Sequence, residues 1–286
     1  MAVPRRALLG ATLLALAGCA SDPRVRVAPG ATPRVHRAGP PAQLAPLTDL
    51  AGRLAGVREH VAAATADAWR TAALAQLDDQ LARLDSANPF ATPDPVFEPR
   101  VVTSPDLAAA VAAVVTHVEE AAGELDDPGL RLLVLACGAS TKGLANRGAV
   151  PAEGGEPGPV DALSGGRLAA LGHVWALLHG MQVGLGRLGR DDPLRTAIAE
   201  RVPAAKELRD ALRAGVTAPS QPASFQLPTP MRTQAEIRSG WATLESNLLE
   251  GLVLLAAEDP TQQHWQEQVG AVHDAGGRVQ RWPGWA

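Results

Sequence analysis

Residues 233–258 read TQAEIRSGWATLESNLLEGLVLLAAE. Thr233 and Glu236 stand three apart, the spacing of a capping box, in which a hydroxyl and a carboxylate each satisfy a free backbone N–H at a helix start. Behind them Ile237, Trp241, Leu244, Leu248, Leu252 and Leu255 recur at intervals of three and four, so one face of a long helix is apolar. The same grammar, with different punctuation, runs along most of the chain. Ser104-Pro105, Asp127-Pro128, Asp192-Pro193 and Asp259-Pro260 each set a side-chain oxygen before a proline, which predicts four more helix starts.

Apolar stripes follow these signals: Leu107, Val111, Val114 and Val118, then Leu130, Leu133, Val134 and Cys137. A helix over about Ser164 to Arg190 carries Leu168, Leu171, Trp175, Leu178, Leu185 and Leu188. Upstream, Leu47, Leu50, Leu54, Val57 and Val61 continue with slight drift into Trp69, Leu74, Leu77, Leu81 and Leu84. That spacing predicts one long amphipathic helix, closed by Asn88-Pro89. No stretch alternates as a strand does, so the fold class is all-α.

Composition agrees. Hydrophobic residues make up 46% of the chain, yet aromatics are 3% and tyrosine is absent, so alanine, leucine and valine must fill the core and helices must pack closely. The formal charge of −4 lacks the basic excess of a nucleic-acid binder. Of the two cysteines, Cys19 directly follows an export signal and Cys137 falls on an apolar stripe, which leaves no disulfide framework.

That export signal spans residues 1–18. Arg5-Arg6 is followed by an apolar run from Ala7 and by Leu16-Ala17-Gly18-Cys19, the pattern of a lipoprotein signal peptide cut before a lipidated cysteine. The apolar run is about 10 residues, half of what a membrane span needs. Pro4-Arg5-Arg6-Ala7-Leu8-Leu9 also resembles a twin-arginine export motif, and an ordinary signal start stays open beside it. Residues 19–43, rich in Ala, Pro and Arg, read as a flexible tether. The sequence therefore predicts an extracytoplasmic protein held on the cell membrane through Cys19.

Beyond the tether the pattern divides into two units. Residues 44–148 read as an N-terminal three-helix unit, and the Gly-, Pro- and Glu-rich segment Val150–Asp161 as a boundary. Residues 164–286 then read as helix, short turn, helix, long connection, helix, tight turn, helix, the wiring of a ferritin-like four-helix bundle. Pro203, inside the second of these helices, is expected to kink or split it.

The C-terminal half resembles the actinobacterial lipoproteins that carry the ferritin-like domain of unknown function DUF4439. The resemblance rests on the small-residue-rich first helix with Gly180, Gly184 and Gly186, on Phe225-Gln226-Leu227-Pro228-Thr229-Pro230 in the crossover, on the Ala-rich helix after Thr233, and on Arg281-Trp282-Pro283-Gly284. Family members often show a Glu-His pair in that first helix. Here it reads Gly172-His173, and residues 164–190 contain no acid. The upstream segment Ala136–Thr141 likewise lacks the carboxylate seen in relatives, so no family role passes to these positions.

Candidate chemistry is sparse. A di-iron bundle takes Glu-x-x-His pairs, because positions i and i+3 share a helix face. This chain has only the reversed His117-x-x-Glu120 and His264-x-x-Glu267, both beside their apolar stripes and read as solvated faces. His173 and His179 diverge by about 240° around one helix, and Glu245 and Glu250, read as flanking their stripe, by about 140°. No nucleophile signature surrounds Ser140 or Cys137, and no glycine-rich turn follows a strand.

The expectation is therefore no catalytic residue, no metal ligand and no cofactor. Trp282, Trp285 and His179 remain as contacts for a partner or ligand, and a docked tail closing the bundle is the alternative for the two tryptophans. The functional reading is a non-catalytic binding or interaction protein of the cell envelope. Its alternative is a metal- or small-ligand-binding ferritin-like protein.

Overall fold

Asp67 breaks the long first helix that the spacing predicts. In the computed structural model, which describes residues 44–86, 88–90, 96–160, 163–217, 221–222 and 224–285, four residues separate the end of α1 (Ala45–Ala63) from the start of α2 (Ala68–Leu84). The Asp67 side chain accepts from the Arg70 N–H at 2.7 Å, and Arg70 reaches back to the Ala62 carbonyl at 2.8 and 3.1 Å. One short segment thus caps both helix ends. The drift in the apolar spacing marks this corner. The predicted signal, residues 1–18, and the predicted tether, residues 19–43, lie outside the described residues.

The remaining helices are α3 (Leu107–Glu124), α4 (Pro128–Gly143), α5 (Gly166–Arg187), α6 (Pro193–Ala214), α7 (Gln234–Glu258) and α8 (Trp265–Asp274). Among the described residues the only β-pairing is an isolated bridge between Ala152 and Gln280. The all-α expectation holds.

Helix punctuation is followed in part. Asp127 and Asp192 cap α4 and α6, each accepting from a backbone N–H at 2.8 Å, with proline at the first position. Thr233 and Glu236 form both halves of the capping box. Two starts move. Asp106, not Ser104, caps α3. Asp259-Pro260 makes a turn in which Asp259 accepts from Thr261 and Gln262, and the last helix starts only at Trp265. A short polar side chain before proline suits a turn as well as a helix start. Nor does Pro203 split α6: Pro203 and Ala199, whose carbonyl loses its donor, are both exposed.

Contacts fix the topology of the last four helices. The start of α5 meets the end of α7 at Gly166 and Leu255, and its end meets the start of α7 at Gly184 and Ile237, so the two are antiparallel. Arg195 of α6 bonds to Leu185 O at the end of α5. Gln234 reaches Asp192, and Arg201 pairs with Glu245, so α6 and α7 run parallel; Gln268 on α8 returns to Glu245. The order is up, down, down, up with a single long crossover. That crossover is pinned by Arg187, which donates to the Pro230 and Met231 carbonyls, and by Thr229, which donates to Glu236 O.

Helices on both sides of the 150–161 connection belong to one compact unit, Ala38–Ala286. α1 packs on α2 and α3, α3 on α4, and α4 on both α7 and α8. The connection itself is held down by Arg278, which donates to the Val150 and Pro151 carbonyls at 2.7 Å, and by an Ala152 N–H to Val279 O bond. Among the described residues α5 alone is long and apolar enough to cross a bilayer; here it lies packed between α6 and α7.

Close approach is what the small residues provide. A Cβ on Gly251 of α7 would stand 2.9 Å from Ala170 N and Cα of α5, and one on Gly166 2.8 Å from Leu255 N. Gly180 and Gly184 likewise face α7, whereas Gly186 faces open space. Gly251→Ala should therefore push two backbones apart and cost about 1–3 kcal/mol in urea unfolding. Gly186→Ala should be neutral or stabilising; equal losses for both would contradict this packing.

Candidate functional site

Glu245 lies in the core of the C-terminal bundle with no solvent exposure. Its Oε1 accepts from Arg201 Nε at 3.0 Å and Trp241 Nε1 at 2.9 Å. Its Oε2 accepts from Arg201 Nη2 at 3.1 Å and Gln268 Nε2 at 2.7 Å. Four donors from three helices thus fill the roughly four acceptor positions of one carboxylate. Arg201 Nη2 also donates to Gln268 Oε1 at 2.9 Å, which closes the network, and the bidentate Arg201 fork supplies the countercharge.

The sequence stripe placed Glu245 on its flank, and the structure corrects this. α7 is covered by α5, α8 and α4 together, so its buried arc is wider than one stripe. The missed signal is local: Glu245 stands one turn after Trp241 and one before Leu248, both core positions. Arg201 and Gln268 had no such signal, because each meets Glu245 only through tertiary packing.

Above this network runs a cleft of about 260 Å³ between α6 and α8, lined by Arg201, Glu207, Leu208, His264, Glu267 and Gln268 among others. The His264-x-x-Glu267 pair does face this cleft, with Glu207 opposite. Among the described residues, however, no three His, Cys, Asp or Glu side chains are grouped to hold a metal ion. The Arg201 guanidinium on the floor opposes a cation.

A second polar centre lies where α2 and α4 meet the C-terminal segment. Asp79 Oδ2 accepts from Trp282 Nε1 at 3.0 Å and Arg281 Nη1 at 3.3 Å, and the Arg83 guanidinium lies 5.5 Å from the Trp282 ring. Gln80 donates to Ser140 at 2.7 Å, and Ser140 to the Ala136 carbonyl. Unlike the Glu245 network, this centre is incompletely paired. Of ten buried side-chain N and O atoms without a hydrogen-bond partner among the described residues, eight belong here: both amide atoms of Gln76, Gln80 Oε1, Arg83 Nε (3.9 Å from Asp79 Oδ1), Thr141 Oγ1, Gln280 Oε1, Arg281 Nε and Trp285 Nε1. Cys137 is buried beside this centre. Burial pushes its thiol well above the ordinary range, with Asp79 adding to the shift and Arg83 opposing it, so the thiol stays protonated.

The singled-out contact residues separate. Trp282 is closed from solvent and bonded to Asp79, so its contacts are with this chain's own α2. Trp285 is half-buried against the core. Gly284, at φ +98°, turns the chain between them over Leu132 and Val253 and donates to Glu250. His179 is half-buried, its ring 5.5 Å from Phe225, beside a small cavity of about 120 Å³ that also touches Lys206 and Arg209. His117, read as a solvated face, is instead buried; its Nε2 donates to the Pro46 carbonyl at 2.9 Å because α1 covers that side of α3. Cys19 lies outside the described residues.

Comparison of the chain with family models, with curated proteins and with solved structures finds no match.

Breaking the buried ion pair from one side should be far worse than removing both partners. Arg201→Met strands the Glu245 carboxylate and should cost about 3–5 kcal/mol in urea unfolding. Adding Glu245→Gln should recover much of that loss, and simple additivity would refute the coupling. A second test concerns Asp85, whose carboxyl burial raises to about 6. Folded protein then holds this proton where the unfolded chain, near pKa 4, has released it. Between about pH 4 and 6 this group therefore lowers stability as pH rises. Asp85→Asn should remove that decline and raise stability at pH 7, as measured by unfolding midpoints across the range.

Proposed function

We propose that this chain is a lipid-anchored, extracytoplasmic protein of ferritin-like architecture, whose bundle serves binding and interaction at the cell envelope rather than catalysis. The observation that carries the reading is the state of Glu245. It is the one acidic side chain wholly buried in the C-terminal bundle among the described residues, and Arg201, Gln268 and Trp241 occupy its acceptor positions. A carboxylate so engaged has no lone pair left for a metal or for a substrate proton. It fixes three helices in register instead.

The up-down-down-up order with one crossover supports the ferritin-like part of the reading, as does the resemblance to DUF4439 lipoproteins in the crossover and tail segments. The anchor rests on Leu16-Ala17-Gly18-Cys19, which gives a thiol the right setting for lipidation and cleavage. A single lipid chain binds a membrane only marginally, so stable retention implies more than one acyl chain on the mature terminus.

Fractionation of expressing cells tests the anchor: wild type should sediment with membranes, and Cys19→Ala should not yield a membrane-bound mature form. Elemental analysis of the purified mature chain tests the bundle. Substoichiometric iron and manganese, with an unfolding midpoint indifferent to chelator, is the expected result; one metal ion per chain would defeat the reading.

A further inference from the structure

The incompletely paired centre beside α2 opens onto a cavity of about 270 Å³, walled by Ala72, Gln76, Pro151, Glu153, Arg278 and Arg281. At liquid density that is room for roughly nine water molecules, the size of a small metabolite. We propose that this cavity binds a small oxyanion, a carboxylate or a phosphate, with Arg278 and Arg281 as its charge partners. The proposal rests on the reading of the chain as a binding protein and names the chemistry of what it binds.

Three observations carry it. First, Arg278 has no carboxylate partner among the described residues. Its Nε and Nη2 are spent on the Val150 and Pro151 carbonyls at 2.7 Å, which hold the guanidinium in place and leave Nη1 to donate. A fixed, unneutralised guanidinium is a ready oxyanion partner. Second, Arg281 gives only Nη1, at 3.3 Å, to Asp79, while its Nε has no partner. Two guanidinium groups thus border one cavity; the single acid lining it, Glu153, is exposed, where solvent screens its charge.

Third, Gln76 is 1% exposed, and neither its Nε2 nor its Oε1 has a hydrogen-bond partner. Its amide is covered in this structure, yet Gln76 stands in the cavity wall, so a change of side-chain rotamer upstream of the amide is what brings it to a bound ligand. A ligand that carries an amide beside its carboxylate satisfies the donor and the acceptor of Gln76 at once. That favours N-acylated amino-acid-like carboxylates over bare phosphate.

Isothermal titration of the detergent-solubilised full chain tests this, with N-acetylglycine and inorganic phosphate as probes at constant ionic strength. Saturable binding of N-acetylglycine is expected, about tenfold or more weaker in Arg278→Met and partly retained in Arg278→Lys. Gln76→Leu keeps the volume and removes the amide, so it should weaken N-acetylglycine while leaving any phosphate binding unchanged. Binding of phosphate alone would keep the oxyanion site and remove the Gln76 role. No saturation by either probe up to on the order of 10 mM, or an Arg278→Met chain that folds and binds as wild type does, overturns the site. Proton spectra of the recovered N-acetylglycine should show it intact. Its consumption would instead defeat the non-catalytic reading while leaving the site standing.

Discussion

The close contact of α5 with α7 is the constraint on which the rest of the bundle depends. Without tyrosine and with few aromatics, the chain cannot fill wide gaps between helices. It brings backbones together instead, at Gly166 against Leu255 and Ala170 against Gly251, and seats the Ile237 side chain directly on Gly184. Dispersion forces fall steeply with distance, so a seam of small residues gains at close range what large side chains would gain by reach. Once α7 is fixed against α5, its other faces are presented to α4 and α8, and the N-terminal helices have a surface on which to pack.

Two buried polar centres then behave in opposite ways. Around Glu245 donors and acceptors are matched within one closed network, so the low-dielectric interior strengthens every bond in it. Around α2 and the C-terminal segment they are not matched, and eight buried atoms lack hydrogen-bond partners among the described residues. Trp282 is large enough to anchor the tail by its apolar area, which lets the fold tolerate unpaired groups beside it. A chain that leaves such groups together next to two arginines and a cavity has the makings of a recognition site.

How much of this was legible depends on the range of the interaction. The Thr233–Glu236 capping box and the Asp127 and Asp192 caps are satisfied within a few residues, so spacing alone revealed them. The corner at Asp67 escaped because it shifts the apolar spacing only slightly, a drift that one continuous helix also accommodates, and the decisive Arg70 bond to Ala62 leaves no periodic trace. Asp259-Pro260 carried the same signal as two true helix starts and made a turn, because its side chain found Thr261 first. Of the two polar centres almost nothing was visible. Glu245 and Gln268 are 23 residues apart, and Asp79 and Trp282 are 203.

The sequence by itself determined the all-helical class, most helix positions and the single long crossover, because each is written in local spacing and local hydrogen bonding. Only the tertiary structure decided that Glu245 is interior, that His117 is buried, and that Trp282 is spent on the chain's own α2. It also decided that Gln76, Arg278 and Arg281 share one cavity. A side chain's burial depends on what covers its flank, and that is set by helices far away in sequence. Whether a polar group is satisfied or left open follows from the same distant packing.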